Sequence, residues 1–128
     1  MFEISVEETF SSGHALRGYR GKCENPHGHN YRVRVALGGE RLNQIGLLYD
    51  FKDLKRLIRE ETERLDHQYL NDLEPFRTLN PSAENLARFL FERLRDGLAG
   101  NPEGVEVRAV TVFETDTTAA VYTDSAAD

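Results

Sequence analysis

Seven residues hold the only cysteine of the chain and two of its four histidines, Cys23, His27 and His29. His27 and His29 are two apart, and a strand sends alternate side chains to opposite faces, so both imidazoles leave the same face. Two neutral imidazoles joined by a third from another element make a three-histidine site with an open fourth position. That is a ligand set of catalytic zinc, whereas closed structural sites take four protein ligands, often cysteines. His14 is the candidate third ligand, because it ends a first strand whose hairpin partner begins near His27. Iron or another imidazole-binding metal stays open beside zinc. Cys23, four residues ahead of His27, has three readings. It is a fourth ligand closing a structural site, a thiol activated beside a cation to act as base or nucleophile, or an inert small hydrophobe. The polar neighbours Gly21, Lys22, Glu24 and Asn25 favour the activated thiol.

Other residues could join such chemistry. In Asp66-His67 a carboxylate stands next to an imidazole, which can fix the tautomer and tune the basicity, although the same pair suits a plain helix end. Glu114 follows the apolar run Val110-Thr111-Val112-Phe113. A carboxylate there can accept paired N–H donors from a flat heterocycle, or simply be a charge at the rim of a turn. Between residues 15 and 34, Arg17, Arg20, Lys22, Arg32 and Arg34 face one acid, Glu24. Such a patch suits a small anionic ligand better than a polymer, and equally describes a solvated loop and strand face.

The elements that must position these groups are legible from periodicity. Phe2, Ile4, Val6 and Phe10 alternate with polar residues as a half-buried first strand leading to His14. Residues 15–26 are polar and carry Gly18, Gly21 and Pro26, a loop. Tyr31, Val33, Val35 and Leu37 continue the parity of the histidines in a second strand closed by Gly38-Gly39. Asp50 caps a helix over 51–65, with Phe51, Leu54, Leu57, Ile58 and Leu65 as its apolar stripe. A second helix is predicted to begin near Asn80-Pro81-Ser82, with Pro81 in its first turn, and to end at Gly97 and Gly100. Strands over 105–114 and 119–123 complete a ββααββ order. This is an α+β layer, a four-stranded antiparallel sheet with both helices on one face. So small a sheet leaves edges that oligomerisation can close.

The 128 residues suit one domain, 1–123, with 124–128 as a frayed polar tail. A net charge of −6 argues against nonspecific nucleic-acid binding, which needs a basic surface. No apolar run approaches the roughly 18 residues of a membrane span. The N-terminus lacks the pattern of a signal peptide, and a single cysteine fits a reducing compartment, so the cytoplasm is expected.

Taken in order, several motifs resemble the 6-pyruvoyl-tetrahydropterin synthase superfamily, and within it the bacterial 6-carboxy-5,6,7,8-tetrahydropterin synthase branch. They are Ser12-Gly13-His14, Cys23-x3-His27-Gly28-His29-Asn30-Tyr31, Gly46-x3-Asp50-Phe51, Leu65-Asp66-His67-x2-Leu70-Asn71, Asn80-Pro81-Ser82-x-Glu84-Asn85-Leu86 and Glu114-Thr115. The three-residue gap between Cys23 and His27 resembles the carboxy-forming branch; the pyruvoyl-forming branch usually has a longer one. The resemblance implies a tunnelling fold, with trimers closing a barrel, two trimers stacking, and sites between subunits. It implies zinc held by His14, His27 and His29, and 7,8-dihydroneopterin 3′-triphosphate as substrate. The implied products are 6-carboxy-tetrahydropterin, acetaldehyde and triphosphate, on the way to queuosine. It further implies Cys23, Asp66 and His67 as a proton relay and Glu114 with Thr115 at the pterin. Arg17, Arg20 and Lys22 become candidates for the triphosphate from charge and loop position. Ala15 and Ser82 depart from the pattern, standing where Arg and Thr are usual. The alternatives are the pyruvoyl-forming synthase, which leaves the side chain intact, and a non-catalytic zinc- and pterin-binding module.

Overall fold

The computed structural model describes residues 1–21 and 24–124. Lys22 and Cys23, and residues 125–128 of the expected tail, lie outside the described residues.

Strand β1 (Phe2–His14) pairs antiparallel with β2 (His27–Gly39) over its whole length, from Phe2 opposite Gly39 to His14 opposite His27. Two helices follow, α1 (Phe51–Leu65) and α2 (Ala83–Gly97), with a 3-10 turn at Leu70–Asp72 between them. The chain returns as β3 (Glu106–Phe113) beside β2 and ends in the short β4 (Ala119–Tyr122). The sheet order is β1-β2-β3-β4, and a bulge between Ala36 and Leu37 interrupts the β2–β3 register. The α+β order read from periodicity is the observed one. None of the described helices is long and apolar enough to cross a membrane.

Strand parity decides the core. Val6 and Phe10 of β1, Tyr31, Val33, Val35 and Leu37 of β2, and Val110 and Val112 of β3 are buried together. Leu54, Ile58 and Leu65 of α1 and Leu86, Leu90 and Leu94 of α2 cover them. Removing such side chains from water supplies the main drive for folding, about 1.5–3 kcal/mol for each large apolar group. The other face is polar. There Glu7 of β1 meets Arg34 at 2.7 Å and Arg32 at 3.2 Å, and the Arg32 guanidinium lies 3.7 Å from the Phe113 ring centre. The hydrogen bond from Arg34 holds the Glu7 carboxyl below the usual carboxylate range. The cations of the 15–34 patch that fall on β2 are therefore answered across the sheet.

Asp50 caps α1, its side chain accepting from the Lys52 N–H. The stripe holds except at Phe51, which is exposed in the first turn. α2 begins later than predicted. Ser82 is its N-cap, with Oγ accepting from Asn85 N at 3.1 Å, so Pro81 stands outside the helix. Periodicity does not single out Glu61, an acid buried in α1. Arg93 of α2 resolves it, donating Nε to Oε1 at 2.8 Å and tying the helices together. Replacing Arg93 with Met leaves that carboxylate without its α2 partner. Chemical denaturation is expected to read a loss of about 1–3 kcal/mol, mostly recovered when Glu61 is also made Met.

Candidate metal centre and proton-relay pair

The β1–β2 register brings His14 directly opposite His27, with His29 two residues on along the same face. His14 is fully buried, and its Nδ1 lies 2.7 Å from the Pro81 carbonyl oxygen. His27 Nδ1 lies 2.8 Å from the carbonyl of Asn25. A carbonyl only accepts, so each Nδ1 carries the proton and each Nε2 presents a bare lone pair. Those two Nε2 atoms face one another at 2.9 Å. Two lone pairs at that separation repel unless a cation lies between them. The Nε2 of His29 is buried without a hydrogen-bond partner, and the Glu114 Oε1 lies 2.9 Å from it and 3.6 Å from His14 Nε2. The 2.9 Å contact is close enough for an ion pair, yet its direction is wrong for a hydrogen bond.

Four atoms able to ligate an ion, from His14, His27, His29 and Glu114, thus lie within 4.8 Å of one another, and the three imidazoles alone would leave Glu114 for another partner. Metal–nitrogen bonds of roughly 2.0–2.1 Å would space tetrahedral ligands about 3.3 Å apart, which these separations bracket. Ring N–H groups held by carbonyls are also the usual support of metal-bound imidazoles. Burial holds His14 below the usual histidine range, against the Pro81 carbonyl and the Glu114 charge, which raise it. The neutral ligand form is favoured. Tyr31 roots the cluster in the core. Its ring stacks on Phe10 at 4.8 Å and its hydroxyl lies 3.1 Å from His14 Nδ1. Burial pushes that phenol well above its usual range, with the Glu114 charge adding to the effect.

Asp66 and His67 are not part of this cluster. They follow α1 and lie along the outer edge of β1, where Ser11 N donates to Asp66 Oδ1 at 2.8 Å. Asp66 Oδ2 is 2.8 Å from His67 Nδ1, and the His67 side chain is 83% exposed. Together with His29 and the Gly13–Gly28 pair, His67 borders a shallow depression of about 380 Å³. A larger concavity of about 570 Å³, against Phe91, Arg95 and Val107, lies at the opposite end of α2 from Pro81 and has none of these groups.

The remaining candidates divide. The Arg17 guanidinium, on an exposed residue, lies against backbone carbonyls, 2.8 Å from that of Phe76 and 3.4 Å from that of Leu79. Arg20 is exposed on the loop. The Thr115 hydroxyl accepts from Thr118 N at 3.1 Å and meets the Thr118 hydroxyl at 2.6 Å, shaping the β3–β4 turn behind Glu114. Sequence reading missed the carbonyl of Pro81 and two carboxamides. Asn71 takes both backbone groups of Ala15 at 2.9 Å, and Asn80 does the same for Arg17, in the manner of a neighbouring strand. Both asparagines stand in the quoted motifs, but only their alternate spacing against residues 15 and 17 discloses the task.

Two outcomes are expected. The protein should take up one Zn2+ per chain in a chelator-competition titration, and His27→Gln should weaken that affinity at least about a hundredfold. The Asp66 carboxyl is held below the usual carboxylate range, first by the Ser11 N–H and then by His67. Its contribution to stability is therefore present above the ordinary Asp pKa and lost as pH falls through the lowered value. Carbon-13 NMR of labelled aspartate should find Asp66 ionised where exposed aspartates are half protonated, and Ser11→Pro, which deletes the donor, should move it back up.

The sequence profile described as "6-pyruvoyl tetrahydropterin synthase" matches residues 3–125. The chain is 30% identical to the 6-carboxy-5,6,7,8-tetrahydropterin synthase of Haemophilus influenzae, across 95% of this chain and 99% of that one. It is 38% identical to the human 6-pyruvoyl tetrahydrobiopterin synthase, across 94% and 90%. The solved Caenorhabditis elegans 6-pyruvoyl tetrahydropterin synthase superposes with a TM-score of 0.84 at 31% identity, covering 97% of this chain and 96% of that one. Ligand cluster, fold and matched length agree, and the chain belongs to the 6-pyruvoyl tetrahydropterin synthase family.

Proposed function

We propose that the protein is a zinc-dependent carbon–carbon lyase. It would convert 7,8-dihydroneopterin 3′-triphosphate to 6-carboxy-5,6,7,8-tetrahydropterin, acetaldehyde and triphosphate in the cytoplasm, on the route to queuosine. The observation that carries this reading is the pair of facing Nε2 lone pairs on His14 and His27 beside His29, a donor set that calls for a cation. The spacing Cys23-x3-His27 and the carboxy-forming relatives favour this product.

In this reading His14, His27 and His29 hold the zinc, which when bound supplies Lewis acidity to the side-chain hydroxyls of the substrate. Cys23 moves a proton at the side-chain carbon. Asp66 keeps His67 in the Nδ1–H form, leaving Nε2 to exchange the other proton. Glu114 anchors the amino and ring N–H groups of the pterin, with Thr115 setting its turn. Arg17, Arg20 and Lys22 meet the triphosphate, and Arg17 also reaches the Phe76 carbonyl.

The cluster faces the helix side of the sheet and the Asp66–His67 pair sits on its outer edge. We therefore take the pair to serve a site completed by another copy, in a trimer or a dimer of trimers. The outer edge of β1 from Phe2 to Thr9 has no strand partner among the described residues, and β4 at the other margin spans four residues. Both invite pairing between chains.

A second reading, the pyruvoyl-forming synthase, is favoured by the 38% identity to the human enzyme. Mass spectrometry after anaerobic incubation of the zinc-loaded protein with the triphosphate separates them. A 6-carboxy-tetrahydropterin mass with acetaldehyde is expected. A 6-pyruvoyl mass would assign the second reading, and bound but unchanged substrate would mean a binding module. Cys23→Ala should abolish turnover while leaving the zinc content intact; loss of zinc would make Cys23 a ligand instead.

A further inference from the structure

The Asp66–His67 pair is held by more than its own contact. Four interactions fasten residues 65–68 to the last part of β1. The buried Ser12 hydroxyl donates to the Leu65 carbonyl, one of the last carbonyls of α1, which have no partner within the helix. Ser11 N donates to Asp66 Oδ1 at 2.8 Å. His67 N donates to the Ser11 carbonyl at 2.6 Å, and Gly13 N donates to the Gln68 carbonyl at 3.0 Å. A parallel bridge between Gly13 and Tyr69 continues the fastening.

The product of this fastening is a histidine in an uncommon conformation. His67 is the one non-glycine residue among those described with positive φ, at 56°. Left-handed backbone is unfavourable for a residue with a Cβ, and persists where the surroundings over-determine it. Here the turn follows from geometry. The chain must leave α1 at Leu65, whose carbonyl points to Ser12, and immediately offer His67 N to Ser11. Asp66 is left between them with one carboxylate oxygen on Ser11 N and the other on His67 Nδ1. Nδ1 carries the proton toward that carboxylate, and Nε2 points away from it.

We propose that residues 11–13 of β1 are a positioning template for His67, with the Ser12 hydroxyl as its side-chain member. The template fixes both the left-handed turn and the Nδ1–H tautomer, so that Nε2 is offered outward as the atom that exchanges protons. The assignment of His67 as a proton-transfer residue rests on the function proposed above; the template itself does not. The same strand end carries His14 two residues beyond Ser12. One short stretch thereby fixes a metal ligand on the helix face and the relay pair at the edge. The Ser12 hydroxyl is committed to the Leu65 carbonyl and acts through Leu65 and the turn.

Nitrogen-15 NMR of histidine-labelled, zinc-loaded protein reads the tautomer directly. In the wild type His67 is expected as a single Nδ1–H form; an Nε2–H or fast-averaged signal overturns the proposal whatever the variants do. Ser12→Ala should mix the tautomers and lower kcat about tenfold or more, with KM changed less than about twofold and zinc content unchanged. Ser12→Thr, which keeps the hydroxyl, should restore both signals. Loss of zinc together with activity in Ser12→Ala would place the effect on His14 and refute the template, as would an unchanged His67 signal. If His67→Gln turns over at the wild-type rate while Ser12→Ala still shifts the tautomer, the proton-transfer reading falls and the template stands.

Discussion

Two imidazole nitrogens that face each other with nothing to share set the terms for the rest of this molecule. His14 and His27 each have Nδ1 committed to a backbone carbonyl, and their Nε2 atoms stand 2.9 Å apart. Either carbonyl, if lost, would let a ring change tautomer and turn the repulsion into an ordinary hydrogen bond. The unfavourable arrangement is thus maintained from outside the pair, by Pro81 before α2 and by Asn25 before β2. Such enforcement suits a metal site, whose imidazole ligands bind in the neutral form and are oriented by the hydrogen bond of the other ring nitrogen.

The fold can be followed outward from that requirement. Cross-strand pairing at the last rung of the β1–β2 hairpin sets His14 against His27, and a one-residue slip would carry the histidines of one strand to the other face. Tyr31, buried and stacked on Phe10, joins the cluster to the apolar core, so the site has no flexible mounting on that side. The 71–85 segment closes another side. Asn85 donates to the carbonyl of Asn80 at 2.8 Å, Asn80 clamps Arg17, and Pro81 holds His14. The start of α2 and the residues that follow β1, Ala15 to Arg17, are thereby bound into one support.

What could be read in advance follows the range of the physics involved. Strand parity is local, so His27 and His29 declared themselves as a pair, and a hairpin needs only neighbouring strands to bring in His14. The apolar stripes of both helices were equally local. Glu114 was visible as a carboxylate at a strand end, but its place beside His29 depends on the β2–β3 register, with two helices in between. The local count of cations overstated the patch in one respect. Arg32 and Arg34 counted toward a basic patch until Glu7, more than twenty positions away in sequence, was found against both. Arg17 was read by charge as a triphosphate candidate; its five donors also suit carbonyls, and the contact of its exposed side chain with the Phe76 carbonyl is one that charge does not disclose. Pro81 looked like a helix starter because its ring suits a first turn; the Ser82 cap displaced the start and freed the Pro81 carbonyl for His14.

The histidine cluster and the Asp66–His67 pair occupy different parts of β1. An imidazole proposed to exchange protons needs an accessible nitrogen, and His14, in the buried part of the cluster, has its nitrogen turned into the fold. His67, 83% exposed on the strand edge, meets that condition, and fully buried His14 does not. β1 keeps the two apart, sending His14 inward by parity and fastening His67 at its margin through backbone groups. The edge that holds His67 is consumed by that fastening at residues 11–13, which leaves strand addition only to the stretch before it. The position of Asp66 and His67 along β1 therefore also limits where another strand could pair with this edge, and in the function proposed above it would tie assembly to proton transfer.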